Sequence, residues 1–216
     1  MISFKKKVTS QQWYKKISLH SNWFAIYGLG STGQSVINHF KKFGFDNYTV
    51  WDDSKIFNKE YSLNKKEFSN SLDFVDYIVI SPGINIDKAK LKKKLKKNKH
   101  KIITDLDLFY ILNPGITSIV ITGSNGKSTT CKILEHLLKK NKIKTELAGN
   151  IGTPVLNLQT KDQRLVLIEA SSFQLAYSKF IKPTIAMILN ISNDHLDWHG
   201  NMSNYINSKF KIFELQ

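Results

Sequence analysis

Ile121-Thr-Gly-Ser-Asn-Gly-Lys-Ser-Thr-Thr130 falls one glycine short of a phosphate-binding loop. The usual pattern, G-x-x-x-x-G-K-[S/T], places its first glycine five positions before the second. Here that position is Ile121, and only Gly123, three residues ahead of Gly126, can open the turn. Two readings stand side by side: a glycine turn that happens to precede a surface lysine, or a shortened phosphate loop. A phosphate loop needs successive backbone N–H groups and a helix N-terminus aimed at the anion, a lysine for the outer phosphates and a hydroxyl for magnesium. "TSIVIT" (117–122) reads as a buried strand that delivers the loop, and Gly123 and Gly126 allow the backbone to approach. Lys127 and Ser128 then open a helix that continues from Thr129 to Lys140, with Ile133, Leu134, Leu137 and Leu138 along one side. The context favours a nucleotide-binding set of Gly123, Ser124, Asn125, Gly126, Lys127, Ser128 and Thr129.

On either side of this loop, short apolar strands alternate with helices. "NWFAIYGLGSTGQSVINHFKKFG" (22–44) runs from a strand through a glycine turn into a helix carrying Val36, Ile37 and Phe40. "YTVWDD" (48–53), "VDYIVISPG" (75–83) and "KIIT" (101–104) read as further strands, and "RLVLIEA" (164–170) and "TIAMILN" (184–190) follow the loop. Tyr205 to Leu215 reads as helical. This alternation predicts an α/β fold with parallel sheets covered on both faces. Asn113-Pro114-Gly115 is the strongest breaker, so the expected domains are 1–112 and 113–216, the second with fewer strands than a finished α/β domain needs.

Of the 216 residues 41% are hydrophobic and 23% charged, enough for one or two cores. No apolar run follows the basic N-terminus and none approaches a membrane span, so a soluble cytoplasmic protein is expected. A single cysteine, Cys131, excludes an internal disulfide and a cysteine-based zinc site, and is expected to be a packing residue. The net charge of +15 raises the question of nucleic acid. The basic residues, however, are 31 lysines and one arginine, Arg164, whereas base readout favours arginine. The densest run, Lys88 to Lys101, sets Ala89, Leu91 and Leu95 at a spacing that suits one apolar stripe of a solvated helix.

"GLGSTG", with Gly28, Gly30 and Gly33, is a G-x-G-x-x-G turn after a strand, and Asp52 ends the next strand where a ribose-binding acid would stand. Alone it predicts a nicotinamide-dependent oxidoreductase. That reading leaves the phosphate loop unused, and a phosphate-loop nucleic-acid protein leaves the later motifs unused.

The loop "ITGSNGKST" resembles the shortened loop of the ATP-dependent Mur ligases, which add amino acids to the cytoplasmic precursor of peptidoglycan. "AGNIG" (148–152), "IEASSFQL" (168–175), "LNISNDHLDWHG" (189–200) and "YINSKFKIF" (205–213) match the same family in the expected order. The resemblance covers nearly the whole chain, and "SSFQL" and "DHLDWHG" are most similar to the branch that joins D-glutamate to UDP-N-acetylmuramoyl-L-alanine. Other branches, with other amino acids, share the loop. The resemblance implies a Rossmann-like first domain and a phosphate-loop central domain, which is incomplete here. The family's C-terminal domain has no counterpart in these residues, so these residues alone are expected to be inactive.

It also implies roles. Gly30, Ser31, Thr32, Gly33, Asp52 and Ser81 would hold the UDP substrate, and Asn150 and Ser171 would approach the substrate or phosphate. Family members often have a basic residue two positions after the acid; Ser54 stands there in this chain. ATP would phosphorylate the L-alanyl carboxylate, and the D-glutamate amine would attack the acyl phosphate. Lys127, Asn150, Glu169, His195 and Lys209 would be catalytic, with Mg2+ held by Ser128, Glu169, His195 and a carbamylated Lys209. His199 completes the motif with no derived role. No nucleic acid and no membrane insertion are expected, and a monomer is.

Overall fold

The computed structural model describes residues 21–54, 63–158 and 164–215. The basic N-terminal stretch read for a leader lies outside them. In the first half, β1 (Phe24–Tyr27), β2 (Tyr48–Trp51), β3 (Tyr77–Ile80) and β4 (Ile102–Ile103) form a parallel sheet in the order β2-β1-β3-β4. Helices α1 (Ser31–Lys42), α2 (Lys65–Phe74) and α3 (Lys92–Lys97) connect them. α4 (Asp105–Leu112) leads to the second sheet, β6-β7-β5-β8, built from β5 (Ser118–Thr122), β6 (Thr145–Gly149), β7 (Leu165–Glu169) and β8 (Ile185–Ile188). Its helices are α5 (Lys127–Lys140), α6 (Ser172–Tyr177), α7 (Leu196–His199) and α8 (Met202–Phe210). Every strand pair is parallel, as the alternating pattern predicts.

Strands β1 and β5 are buried along their whole length, which explains their continuous apolar runs in place of an alternating pattern. One hydrophobic cluster unites Phe24, Ile26, Val36 and Phe40 of the first half with Val120, Val166, Ile168 and Leu175 of the second. Leu106, Phe109 and Tyr110 of α4 belong to that cluster. Tyr110 and Ser118 also share a 2.7 Å hydroxyl contact across the Asn113-Pro114-Gly115 breaker.

Several details differ from the sequence reading. The lysine-rich stripe is helical only over Lys92–Lys97, although Leu91 and Leu95 are buried as expected. The final helix begins earlier, at Met202, and tightens after Phe210 into a 3₁₀ turn over Lys211–Phe213. On α5, Leu134 packs against the core but Ile133 and Leu137 are 56% and 49% exposed. Sequence spacing marks a helical face without saying whether anything covers it. Among the described residues no helix is long and apolar enough to cross a membrane.

Candidate active site

The loop between β5 and α5 brings the helix N-terminus to the ends of the neighbouring strands. Gly126 takes φ +81°, a left-handed conformation that glycine adopts without strain. The loop is braced from the segment after β8. Ser124 N–H donates to Asn190 O at 3.1 Å, Asn125 N–H to Asn190 Oδ1 at 2.9 Å, and Ser124 Oγ shares a 2.8 Å contact with Tyr205 Oη. Lys127 Nζ donates to Gly123 O and Ser124 O, each at 2.8 Å, so its ammonium lies against the loop itself.

Glu169, at the C-terminal end of β7, is 1% exposed. One carboxylate oxygen accepts from Ser128 Oγ at 2.8 Å and the other from Asn150 Nδ2 at 2.9 Å. The approach of Asn150 depends on Gly149, φ +103°, where a Cβ would stand 2.3 Å from Glu169 O. Ser128, Asn150 and Glu169 thus form one hydrogen-bonded cluster, and Lys127 lies against the adjoining loop.

Lys209 reaches the same loop from α8 and is also 1% exposed. Its Nζ donates to Gly123 O at 2.8 Å and stands 4.5 Å from the centre of the Tyr205 ring. Burial, with Lys127 nearby, lowers the Lys209 pKa to about 8. Thr122 lies 3.5 Å from Nζ through its hydroxyl, and Asn190 braces the loop that Lys209 reaches. Neither stands out in the sequence as more than a strand end or a loop amide.

His195 is placed differently. It precedes α7 at φ +53°, its side chain is 44% exposed, and its Nε2 lies 3.3 Å from Asp194 Oδ2. Among the described residues no three His, Cys, Asp or Glu side chains gather as a metal cluster. The oxygens of Glu169 and Ser128 fit magnesium even so, because Mg2+ takes one or two protein oxygens and keeps several waters. Ser171 acts locally: its hydroxyl accepts from Gln174 N–H at 3.3 Å and caps α6, while Gln174 Oε1 accepts from Ser171 N–H and Oγ. His199 now has a structural place, with Nε2 3.0 Å from Ser172 Oγ and the ring stacked on Phe173. Burial lowers its pKa to about 4. Cys131 is buried, with its thiol pushed up to about 12, and is a packing residue as expected.

In the first half, Gly30 caps α1, and Ser31, Thr32 and Gly33 form its first turn. Ser81 Oγ donates to Gly28 O at 2.8 Å. Asp52 is clamped, one oxygen accepting from Leu29 N–H at 2.6 Å and the other from Ser54 N–H and Oγ at 2.8 and 2.7 Å. Ser54 therefore orients the acid where a basic residue is common in the family.

The model for a Mur ligase MurD-like N-terminal domain matches residues 22–104, and that for a Mur ligase middle domain matches 121–216. The chain belongs to the Mur ligase family. Both glycine loops fall within the matched regions, a joint account that neither the dehydrogenase nor the nucleic-acid reading supplies. Among similar Mur ligases, a UDP-N-acetylmuramoylalanine--D-glutamate ligase of Wolbachia pipientis wMel is 37% identical, covering 87% of this chain and 38% of the relative. A protein of the same name from Thermosipho africanus is 38% identical, covering 88% and 47%. The chain thus spans less than half the length of these two relatives. The crystal structure of UDP-N-acetylmuramate:L-alanyl-gamma-D-glutamyl-meso-diaminopimelate ligase from Neisseria meningitides shares the fold. Its TM-score is 0.50 at 17% identity, over 88% of this chain and 67% of that one.

Proposed function

We propose that this chain is the substrate-binding and nucleotide-binding part of an ATP-dependent ligase that joins D-glutamate to UDP-N-acetylmuramoyl-L-alanine in the cytoplasm. The observation that carries the proposal is Glu169, a buried carboxylate held by Ser128 and Asn150 beside a phosphate loop. The names of the relatives support the choice of substrates. A monomer that binds neither nucleic acid nor membrane is the accompanying proposal.

A carboxylate is a poor electrophile. Phosphorylation remedies this: a carboxylate oxygen of the L-alanyl group attacks the γ-phosphorus of ATP and ADP leaves. The D-glutamate amine then attacks the acyl carbon, inorganic phosphate leaves, and the amine loses its proton. Such transfers depend on positioning and neutralisation of charge. Gly123 to Thr129 would cradle the ATP phosphates, and Lys127 would turn from its own loop carbonyls to the outer phosphates. Ser128 and Glu169, with His195, would hold Mg2+, which would supply further neutralising charge. Asn150 orients Glu169 and borders the same space. Lys209, as a carbamate, would exchange its positive charge for an anion beside Lys127. Gly30, Ser31, Thr32, Gly33 and Ser81 would hold the diphosphate end and Asp52 the uridine, with Ser171 bordering the reacting carboxylate.

Calorimetric titration of the whole chain with UDP-N-acetylmuramoyl-L-alanine, NAD and a short oligonucleotide tests this. The expected result is saturable binding of the UDP compound alone; selective binding of NAD would overturn the assignment.

A further inference from the structure

The two halves touch through a set of contacts that the ligase reading leaves unused. The loop after β3 begins at Ser81, whose hydroxyl holds the carbonyl of Gly28 in the substrate turn. A few residues on, the same loop reaches the second half. Asn85 Nδ2 donates to Trp198 O at 2.8 Å, Lys88 Nζ donates to Asp197 O at 2.9 Å, and Ile86 N–H donates to Tyr177 Oη at 3.1 Å. The Trp198 ring completes the contact, 5.5 Å from Tyr177 and 5.0 Å from Phe173.

The acceptors are informative. α7 has four residues, and the last carbonyls of a helix have no partner within it. Asp197 O and Trp198 O are two of these, and both are satisfied by side chains of the other half. A one-turn helix has little stability of its own, so its orientation depends on such external partners. His195 immediately precedes that turn in a left-handed conformation, so the direction of its imidazole follows the backbone of α7.

We infer that Asn85, assisted by Lys88, is a positioning residue that caps α7 from the substrate-binding half and thereby couples occupancy of the glycine turn to the placement of His195. The inference rests on the proposed roles of those two sites. Coupling of this kind is reciprocal: if the UDP substrate tightens nucleotide binding by some factor, the nucleotide tightens substrate binding by the same factor.

Two measurements on the whole chain test it. First, the affinity for Mg2+ and a non-hydrolysable ATP analogue is measured with and without UDP-N-acetylmuramoyl-L-alanine. The UDP compound should tighten it about fivefold or more in the unaltered chain, the lower end of ordinary coupling. Asn85→Asp, which keeps the size but loses the donor, should bring the ratio to roughly one while leaving affinity for the UDP compound alone unchanged. An undiminished ratio in both Asn85→Asp and Asn85→Ala would overturn the inference. Second, hydrogen exchange at residues 196–200, read without any ligand, should quicken in Asn85→Asp and in Lys88→Ala; unchanged exchange in both would also overturn it. Failure of the UDP compound to bind even the unaltered chain would instead overturn the proposed function, and the exchange result would then decide the cap on its own.

Discussion

Lys209 combines deep burial with a neighbouring ammonium, and both disfavour its charge. A carbamate forms only from the neutral amine, and a pKa near 8 makes that form accessible at neutral pH. Lys127, which opposes a second cation, would favour the resulting anion. At fixed dissolved CO2, 13C-labelled CO2 should give a carbamate resonance that grows between pH 7 and 9 and is missing in Lys209→Arg; its persistence in that variant would place the signal elsewhere. Asp105 shows burial acting in the opposite direction. It is fully enclosed at the start of α4, its Oδ1 has no hydrogen-bond partner, and burial, aided by Asp107, raises its pKa to about 6. The native state therefore binds more protons than the unfolded chain between about pH 4 and 6, and stability falls as pH rises through that window. The penalty is complete above it and absent below. Asp105→Asn should thus raise stability at pH 7 by on the order of 2 kcal/mol and leave it nearly unchanged at pH 4. Melting curves of both proteins at the two pH values check this: an equal gain at both would assign the effect to packing.

Helix α1 leaves β1 through a turn so tight that a Cβ at Gly33 would lie 2.0 Å from Gly28 O. Gly33→Ala must separate the helix from the strand, so it should cost roughly 3 kcal/mol and abolish binding of the UDP compound; a melting temperature within a degree of the original would contradict the argument. That turn was legible in the sequence because glycine spacing records backbone approach directly. Most strands were legible for a similar reason, as short apolar runs bounded by turn residues. α4 was not: "DLDLFYIL" is buried along nearly its whole length, Asp105 and Asp107 included, so it lacks the polar face that makes a helix visible. α2 escaped because only Phe68 and Leu72 of its ten residues are buried. In the site, Glu169 could be read because it ends an apolar run, and Ser128 because it follows the glycine-lysine pair of the loop. Asn85 and Trp198 could not, because 113 positions separate them and no local pattern marks their contact.

Whether the two sheets behave as one body follows from what lies between them. Asp107 is buried on α4, and its Oδ1 accepts from the backbone N–H groups of Lys179 and Phe180, at 2.8 and 2.7 Å. Its other oxygen accepts from Thr104, whose hydroxyl also meets Ser178 at 2.8 Å. These bonds join α4 to the segment after α6 within the hydrophobic cluster that spans both sheets. Unfolding either half would expose that shared core and break these bonds. Calorimetry should therefore give a single transition whose calorimetric and van't Hoff enthalpies agree. Asp107→Ala removes the acceptor of two part-buried N–H groups, a loss of roughly 2 kcal/mol. It should also split the transition, with the half containing β5 to β8 melting apart from the other. Two transitions in the unaltered chain would show that the shared core is too weak to couple the sheets. A single, merely lowered transition in Asp107→Ala would show that the apolar contacts of Leu106, Phe109 and Tyr110 suffice to couple them without it.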